Sequence, residues 1–391
     1  MQSRSVAILL PDLRGGGAER VSLNLANEFA ARGFSVDLVL MQAAGDLLPL
    51  LDERVNVVPL GANRMLGIAL PLTRYLRQAR PSALLANMWP LTVLSVLARA
   101  SSRSKTRLVL VEHVTLSKSE IRASPLHFLA LRLSMRFFAP FADARVTVSE
   151  GVADDLAATA GLRRNQISTI YNPIVQAIGG GRSSSKQIAS PSIPVILNVG
   201  SLKEQKDQAT LLRAFRILIS EIDARLVILG EGELRTELEA LAVELGIADR
   251  VSMPGFTTNP SQAYDNASLF VLASAWEGFG NVVVEALEHG VPVVSTDCPS
   301  GPREILEDGR YGTLMPIRDP QALAIAMRDS LSQAHDHGAL KRRAGDFSVA
   351  KAADAYLDLL LPGWRQAEPS TTDVKVAVKP PGTSNARQEA E

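Results

Sequence analysis

The sequence predicts an α/β protein with two doubly wound parallel-sheet domains facing each other across a cleft. Three features carry that prediction. Short β-rich runs alternate with helical patterns through both halves of the 391 residues, a Gly/Ser segment interrupts the alternation once near the middle, and glycine-bearing turns follow several of the strands. Alternation of this kind builds parallel sheets covered by helices on both faces, and such sheets take ligands at the carboxyl ends of their strands.

In chain order, the first series of strands is expected at residues 6–10, 35–40, 55–60, 83–87, 107–112, 145–148 and 167–171. The turn Gly15-Gly16-Gly17 opens a helix expected over 18–32. Gly179-Gly180-Gly181-Arg182-Ser183-Ser184-Ser185-Lys186, followed by Pro191 and Pro194, breaks the pattern, which sets an N-terminal domain at 1–175 and a linker at 176–193. A second series follows at 195–199, 226–229, 251–253, 269–273 and 293–295 in a C-terminal domain spanning 194–348, with helices expected over 208–220 and 281–289. A last helical pattern covers about 349–362. From Pro369 the Ser, Thr, Pro, Lys and Glu content without periodicity predicts a disordered tail over 369–391.

Composition narrows the classes. The formal net charge is zero, so no global field draws nucleic acid. A lone cysteine, Cys298, excludes an internal disulfide framework and fits a reducing compartment. No stretch approaches the roughly 20 apolar residues of a membrane span, and the first apolar run is too short for a signal-peptide core. A cytoplasmic placement is expected. Charge is uneven, however: residues 64–136 carry twelve Lys or Arg against two acids, Glu112 and Glu120. Within this block, 121–141 mixes Arg122, Arg132 and Arg136 with Leu, Met and four Phe. Two readings of it stay open and do not exclude each other: a core helix with solvated arginines, or a basic amphipathic helix lying on the inner face of the cell membrane.

The segment around Glu277 and Glu285 is the most informative chemically. A strand runs into a loop where Gly278-Phe279-Gly280 strips side chains from the backbone, and Asn281 starts a helix. The open amides of a helix start favour an anion, usually a phosphate. Two carboxylates beside a phosphate seat would repel it on contact, so they suit neutral hydroxyls on either side of it, as in a sugar nucleotide. Other strand ends add to the site. Gly15-Gly16-Gly17 permits backbone approach to a phosphate or sugar, but Arg20 stands where a dinucleotide fingerprint needs glycine, as does Arg235 after Gly230-Glu231-Gly232. A plain tight turn explains either loop equally well. Gly200-Ser201-Leu202-Lys203-Glu204-Gln205-Lys206 leads into the helix at 208, where lysines oppose the helix dipole unless an anion offsets them. His113 ends the strand 107–112 and would face the same cleft; His127, His335 and His337 have no comparable setting. No pair of Asp or His has metal-ligand spacing.

In their order along the chain, these loops together with Glu112-His113, Val148-Ser149-Glu150-Gly151-Val152, Tyr171-Asn172-Pro173 and Pro254-Gly255-Phe256 resemble the retaining family-4 glycosyltransferases of the GT-B fold. The resemblance runs from Gly15 to about Asp319, and the segment 297–304 is similar to members that build bacterial surface polysaccharides or lipid-linked oligosaccharides. It implies two Rossmann-like domains, the N-terminal one taking a saccharide or lipid-linked acceptor and the C-terminal one a nucleotide sugar, with uridine the expected nucleoside. Glu277 would lie against hydroxyls of the transferred sugar, Glu285 against the ribose, Lys206 against the diphosphate and His113 near the reacting face of the sugar. Backbone at Gly278, Phe279, Gly280 and Asn281 would meet sugar and phosphate, Gly255 and Phe256 the base, and Gly16 and Gly17 would close over the donor. The family's arginine after Gly200 is Ser201 here, so half of the cationic clamp is either absent or supplied by Lys203.

The implied reaction needs no metal or other cofactor. Cleaving the anomeric carbon–phosphate bond builds negative charge on the diphosphate, which Lys206 and the helix start would stabilise. The glutamates then orient, and the departing phosphate takes the acceptor's proton. A nicotinamide dehydrogenase fits poorly because both glycine loops lack the fingerprint. A sugar-nucleotide epimerase on the same fold, or a non-catalytic nucleotide-binding subunit of a membrane complex, is the alternative.

Overall fold

A computed structural model describes residues 4–118, 124–176 and 193–367. The N-terminal sheet comprises β1 (Ser5–Leu10), β2 (Ser35–Leu40), β3 (Val55–Pro59), β4 (Ala83–Asn87), β5 (Arg107–Glu112), β6 (Ala144–Thr147) and β7 (Ser168–Thr169). All pairs are parallel, in the order β3-β2-β1-β4-β5-β6-β7. The C-terminal sheet, β8 (Val195–Val199), β9 (Arg225–Leu229), β10 (Val251–Gly255), β11 (Leu269–Leu272), β12 (Val293–Thr296) and β13 (Thr313–Met315), is also parallel, in the order β10-β9-β8-β11-β12-β13. Each sheet reverses its strand order once, at β1/β4 and at β8/β11. Crossovers leave those switch points with a crevice at the strands' carboxyl ends.

The helices are α1 (Gly17–Ala31), α2 (Ala69–Ala79), α3 (Leu91–Ser102), α4 (Pro125–Phe138) and α5 (Glu150–Ala160) in the first half. In the second they are α6 (Gln208–Leu218), α7 (Arg235–Glu244), α8 (Ser261–Asn266), α9 (Asn281–Glu288), α10 (Pro302–Ile305), α11 (Pro320–Ser332), α12 (His337–Ala344) and α13 (Val349–Leu360). The strands read as near-continuous apolar runs because helices bury them on both faces. Leu72, Leu76 and Leu94 from α2 and α3 and Leu131 and Met135 from α4 cover one face of the first sheet, while Phe29 of α1 and Tyr356, Leu357 and Leu360 of α13 pack with the core on the other. The second sheet is sandwiched by Leu211, Phe215, Leu323 and Met327 on one side and Val283, Leu287 and Leu340 on the other. The last helix thus returns to the first domain, where Arg32, the C-cap of α1, donates to Ala350 O at 3.1 Å and pairs with Asp354.

Some expectations are corrected. The run at 167–171 shortens to β7, the chain leaving the strand at Ile170 ahead of Pro173. The three-residue edge strand β13 goes unpredicted, being too short to show a period. The lysines at 203 and 206 do not oppose the α6 dipole: Asp207 caps that helix, accepting from Thr210 N at 3.3 Å and Thr210 Oγ1 at 2.8 Å. Lys206 sits one turn earlier, in a 3-10 turn, with its side chain directed elsewhere. Most of the expected linker (177–192), the tail (369–391) and the start of the amphipathic segment (121–123) lie outside the described residues.

Candidate active site

The carboxyl ends of both sheets bound a cavity of about 740 Å³. Its walls are the β1–α1 loop, the end of β5, the loops after β8 and β9, Phe256 and Thr257, and the loop and helix start from Glu277 to Glu285. The cavity therefore gathers loops from positions up to 271 residues apart, Arg14 to Glu285. Of the residues to which the resemblance gives a role at the site, all but Gly255 lie on its wall; Gly255 O instead accepts from Gly230 N at 2.9 Å inside the second domain.

Gly278 explains how close the domains come. A Cβ there would fall 1.9 Å from the His113 carbonyl oxygen, so only glycine fits. Gly280, at φ 96°, turns the chain into α9, whose start has no side-chain cap and leaves its first amides for a ligand. The Phe279 ring points away from the cleft, stacked on Tyr171 (centroids 5.6 Å, planes at 27°) and edge-on to Phe347 at 5.5 Å. Only its backbone is available to a ligand.

Glu277 and Lys206 form one unit. Glu277 Oε1 accepts from Lys206 Nζ at 2.6 Å and from Ser274 Oγ at 2.6 Å, with the glutamate only 5 % exposed. The ammonium thus gives one of its three donors to a carboxylate and keeps two. Glu285 Oε2 accepts from Tyr264 OH at 2.8 Å, and burial raises its carboxyl above the usual range. Asn281 spends its side chain on the other domain: Oδ1 accepts from Asn172 Nδ2 at 2.7 Å, and Nδ2 donates to Gly17 O at 3.4 Å. Ser201 and Lys203 border the cavity, the Ser201 carbonyl accepting from Gln208 Nε2 at 3.0 Å. Gly16 and Gly17 line the opposite wall, and the ring of Phe256, which is 47 % exposed, lies against the neighbouring Gly15.

His113 is almost fully enclosed. Asn87 Nδ2 donates to Leu9 O at 3.1 Å, which aims Asn87 Oδ1 at His113 Nε2, 2.9 Å away, and fixes the proton there. Nδ1 is left as a buried acceptor with no partner among the described residues. Burial pushes the imidazole down to about 4, so it is neutral at pH 7.

Arg20 and Asn172 had no role assigned from sequence. Arg20 reaches across the cleft to donate to Thr258 O at 2.9 Å, and its charge draws the Glu285 carboxyl downward against burial. The signal was present: a cation in the first turn of α1 works against the helix dipole. The motif Tyr171-Asn172-Pro173 marks Asn172 but not its partner, which lies 109 positions away.

The family described as Glycosyltransferase Family 4 matches residues 15–176, and that described as Glycosyl transferases group 1 matches residues 193–333. The chain is 33 % identical over 264 residues to the Campylobacter jejuni N-acetylgalactosamine-N,N'-diacetylbacillosaminyl-diphospho-undecaprenol 4-alpha-N-acetylgalactosaminyltransferase, covering 66 % of this chain and 70 % of that one. It is 27 % identical over 356 residues to the Rhizobium meliloti lipopolysaccharide core biosynthesis glycosyltransferase LpsE, covering 89 % and 96 %. Among solved structures, Anabaena HepE in complex with UDP-glucose superposes with a TM-score of 0.75 at 22 % identity, over 91 % of this chain and 99 % of that one.

Proposed function

The chain belongs to the family-4 glycosyltransferases, and from that membership we propose that it moves a hexose or N-acetylhexosamine from a uridine-diphosphate sugar to a saccharide on a lipid carrier, with retention of anomeric configuration. One observation carries the reading: the Glu277–Lys206 pair, the buried acceptor of His113 and the uncapped start of α9 meet in a single interdomain cavity. The UDP-glucose complex of a relative in fold and the diphospho-undecaprenol substrate named for the Campylobacter enzyme support the donor and acceptor classes.

Each residue then has a task. The two remaining Lys206 donors and the first amides of α9 stabilise the charge that grows on the departing diphosphate, which removes the need for a metal. Lys203 and Arg20 add positive charge at the rim. Glu277, tied by Lys206 and Ser274, is oriented to accept from sugar hydroxyls and is not free to attack the anomeric carbon. His113 offers Nδ1 to a further hydroxyl. With its acidity near 4 it is a poor proton acceptor at pH 7, costing about 4 kcal/mol to protonate. The acceptor's proton therefore passes to the departing phosphate, on the face from which that phosphate leaves. Glu285, whose second oxygen is unengaged by Tyr264, holds the ribose.

The acceptor side suits a membrane surface. Among the described residues no helix is long and apolar enough to cross a membrane. α4 nevertheless buries only Leu131 and Met135, while Leu126 (78 % exposed), Leu129, Leu133 and Phe137 (63 %) form a stripe at spacings of three and four, flanked by Arg132 and Arg136. Such a stripe with basic flanks fits peripheral attachment to anionic lipid at the cytoplasmic face.

Thermal-shift titration with UDP and a series of UDP-sugars, followed by UDP-release assays with polyprenyl-diphosphate saccharides, tests the proposal. One sugar conjugate should stabilise beyond UDP itself, release should require acceptor, chelators should leave the rate unchanged, and the product should keep the donor's anomeric configuration. Inversion, or a strict need for a divalent ion, would overturn the mechanism; no response to any nucleotide would overturn the function.

A further inference from the structure

A second contact between the domains lies beside the cleft and takes no part in the chemistry above. The two carboxylate oxygens of Glu304, in α10 of the C-terminal domain, accept from the first two amides of α5 in the N-terminal domain, Glu150 N at 2.8 Å and Gly151 N at 3.1 Å. The third amide, Val152 N, is taken by Ser149 Oγ at 3.2 Å, and that hydroxyl donates to Gly278 O at 2.7 Å. The Tyr171 hydroxyl lies beside the same carboxylate; burial, and then the charge of Glu304, push it up to about 12. One carboxylate of the donor-side domain thus faces a helix start and a phenol of the acceptor-side domain.

Its base is fixed. Arg343 donates to Glu304 O at 2.7 Å and to Ile305 O at 2.8 Å, which holds the end of α10 in place. The neighbouring Ser300 fits against α5 only because residue 151 is glycine, where a Cβ would meet Ser300 Oγ at 2.6 Å and its Cα at 2.9 Å. Thr115, 3.2 Å from Ser300 Oγ, donates to Glu277 O at 2.8 Å. The contact is therefore continuous with the loop that bears Glu277.

We propose that Glu304 is a closure latch: a positioning residue whose carboxylate seats on the start of α5 when the domains meet and so fixes the 277–281 loop against the His113 wall. The inference rests on the transferase reading. A helix start favours a carboxylate through its free amides and its dipole. Both sides regain water when the domains part, so the net gain is small, as a contact that reopens for each product requires.

Two variants of the full-length chain break the contact by different means. Glu304→Gln keeps the shape but sets an NH2 against an amide N–H. Gly151→Ala favours the helix itself but collides with Ser300. X-ray scattering with and without UDP, melting temperature and steady-state kinetics are the readouts. Wild type should contract with UDP, while both variants stay more extended, melt as wild type does, keep the donor KM and lose kcat about tenfold. Contraction and kcat equal to wild type in both variants would overturn the latch. So would a joint fall in melting temperature, donor affinity and kcat, which marks a general structural contact. If wild type ignores every nucleotide, the transferase reading fails instead. A wild type that does not contract already holds the closed contact the structure shows, so ligand-free variants no more extended than it would refute the latch.

Discussion

Replacing Lys206 by alanine separates what the lysine does for the fold from what it does for the reaction. The ammonium sits 2.6 Å from Glu277 Oε1, with its side chain 17 % exposed and the glutamate's 6 %. Removing it leaves a nearly buried carboxylate with Ser274 as its remaining donor. Breaking a buried pair in this way costs about 3–5 kcal/mol, and the surviving hydroxyl argues for the lower end. Loss of the cation facing the leaving group should also reduce kcat on the order of 100- to 1,000-fold. The double variant Lys206→Ala with Glu277→Gln resolves the two effects, because the neutral amide no longer suffers from the missing partner. Denaturant melts should show most of the stability restored, while UDP release from the donor–acceptor mixture stays low. Recovery of kcat in the double variant would refute the reasoning, since Lys206 would then serve only to neutralise Glu277. Equal stability of wild type and the single variant would refute the buried pair.

Glu285→Gln keeps an acceptor for Tyr264 but removes the charge offered to a ribose, so the donor KM should rise about tenfold with kcat spared; a fall in kcat alone would contradict that role. His113→Gln should flatten the acid side of the stability profile. The imidazole titrates at about 6.5 unfolded and about 4 folded, so between those values the unfolded chain binds the extra proton. Wild type accordingly loses about 3 kcal/mol as pH falls through that window, and the variant should not. Burial pushes Glu112 up to about 7, which gives the opposite slope, so it is the difference between the two proteins' urea melts that isolates His113. Phe137→Asp should abolish flotation with vesicles containing phosphatidylglycerol and leave release on a soluble acceptor analogue unchanged; retained flotation would move the membrane face away from α4.

Much of the architecture was legible because burial leaves a local trace. Parallel strands covered on both faces read as apolar runs, helices as periodic ones, and glycine turns as breaks at strand ends. The cleft followed from topology, since doubly wound sheets bind at carboxyl ends, and the spacing of Glu277 and Glu285 spans one loop and one helix start. What the sequence by itself determined is therefore whatever is settled within about one element. Only the tertiary structure decided that Lys206 would pair with Glu277, 71 positions on, that the Phe279 ring would turn inward onto Tyr171, and that the Asn281 side chain would join Asn172. It also decided which side of α4 is left bare and that Glu304 would find the start of α5, 154 positions away. Those pairings depend on how two separately folded sheets face each other, and no local periodicity records the distance between residues that meet only when the domains do.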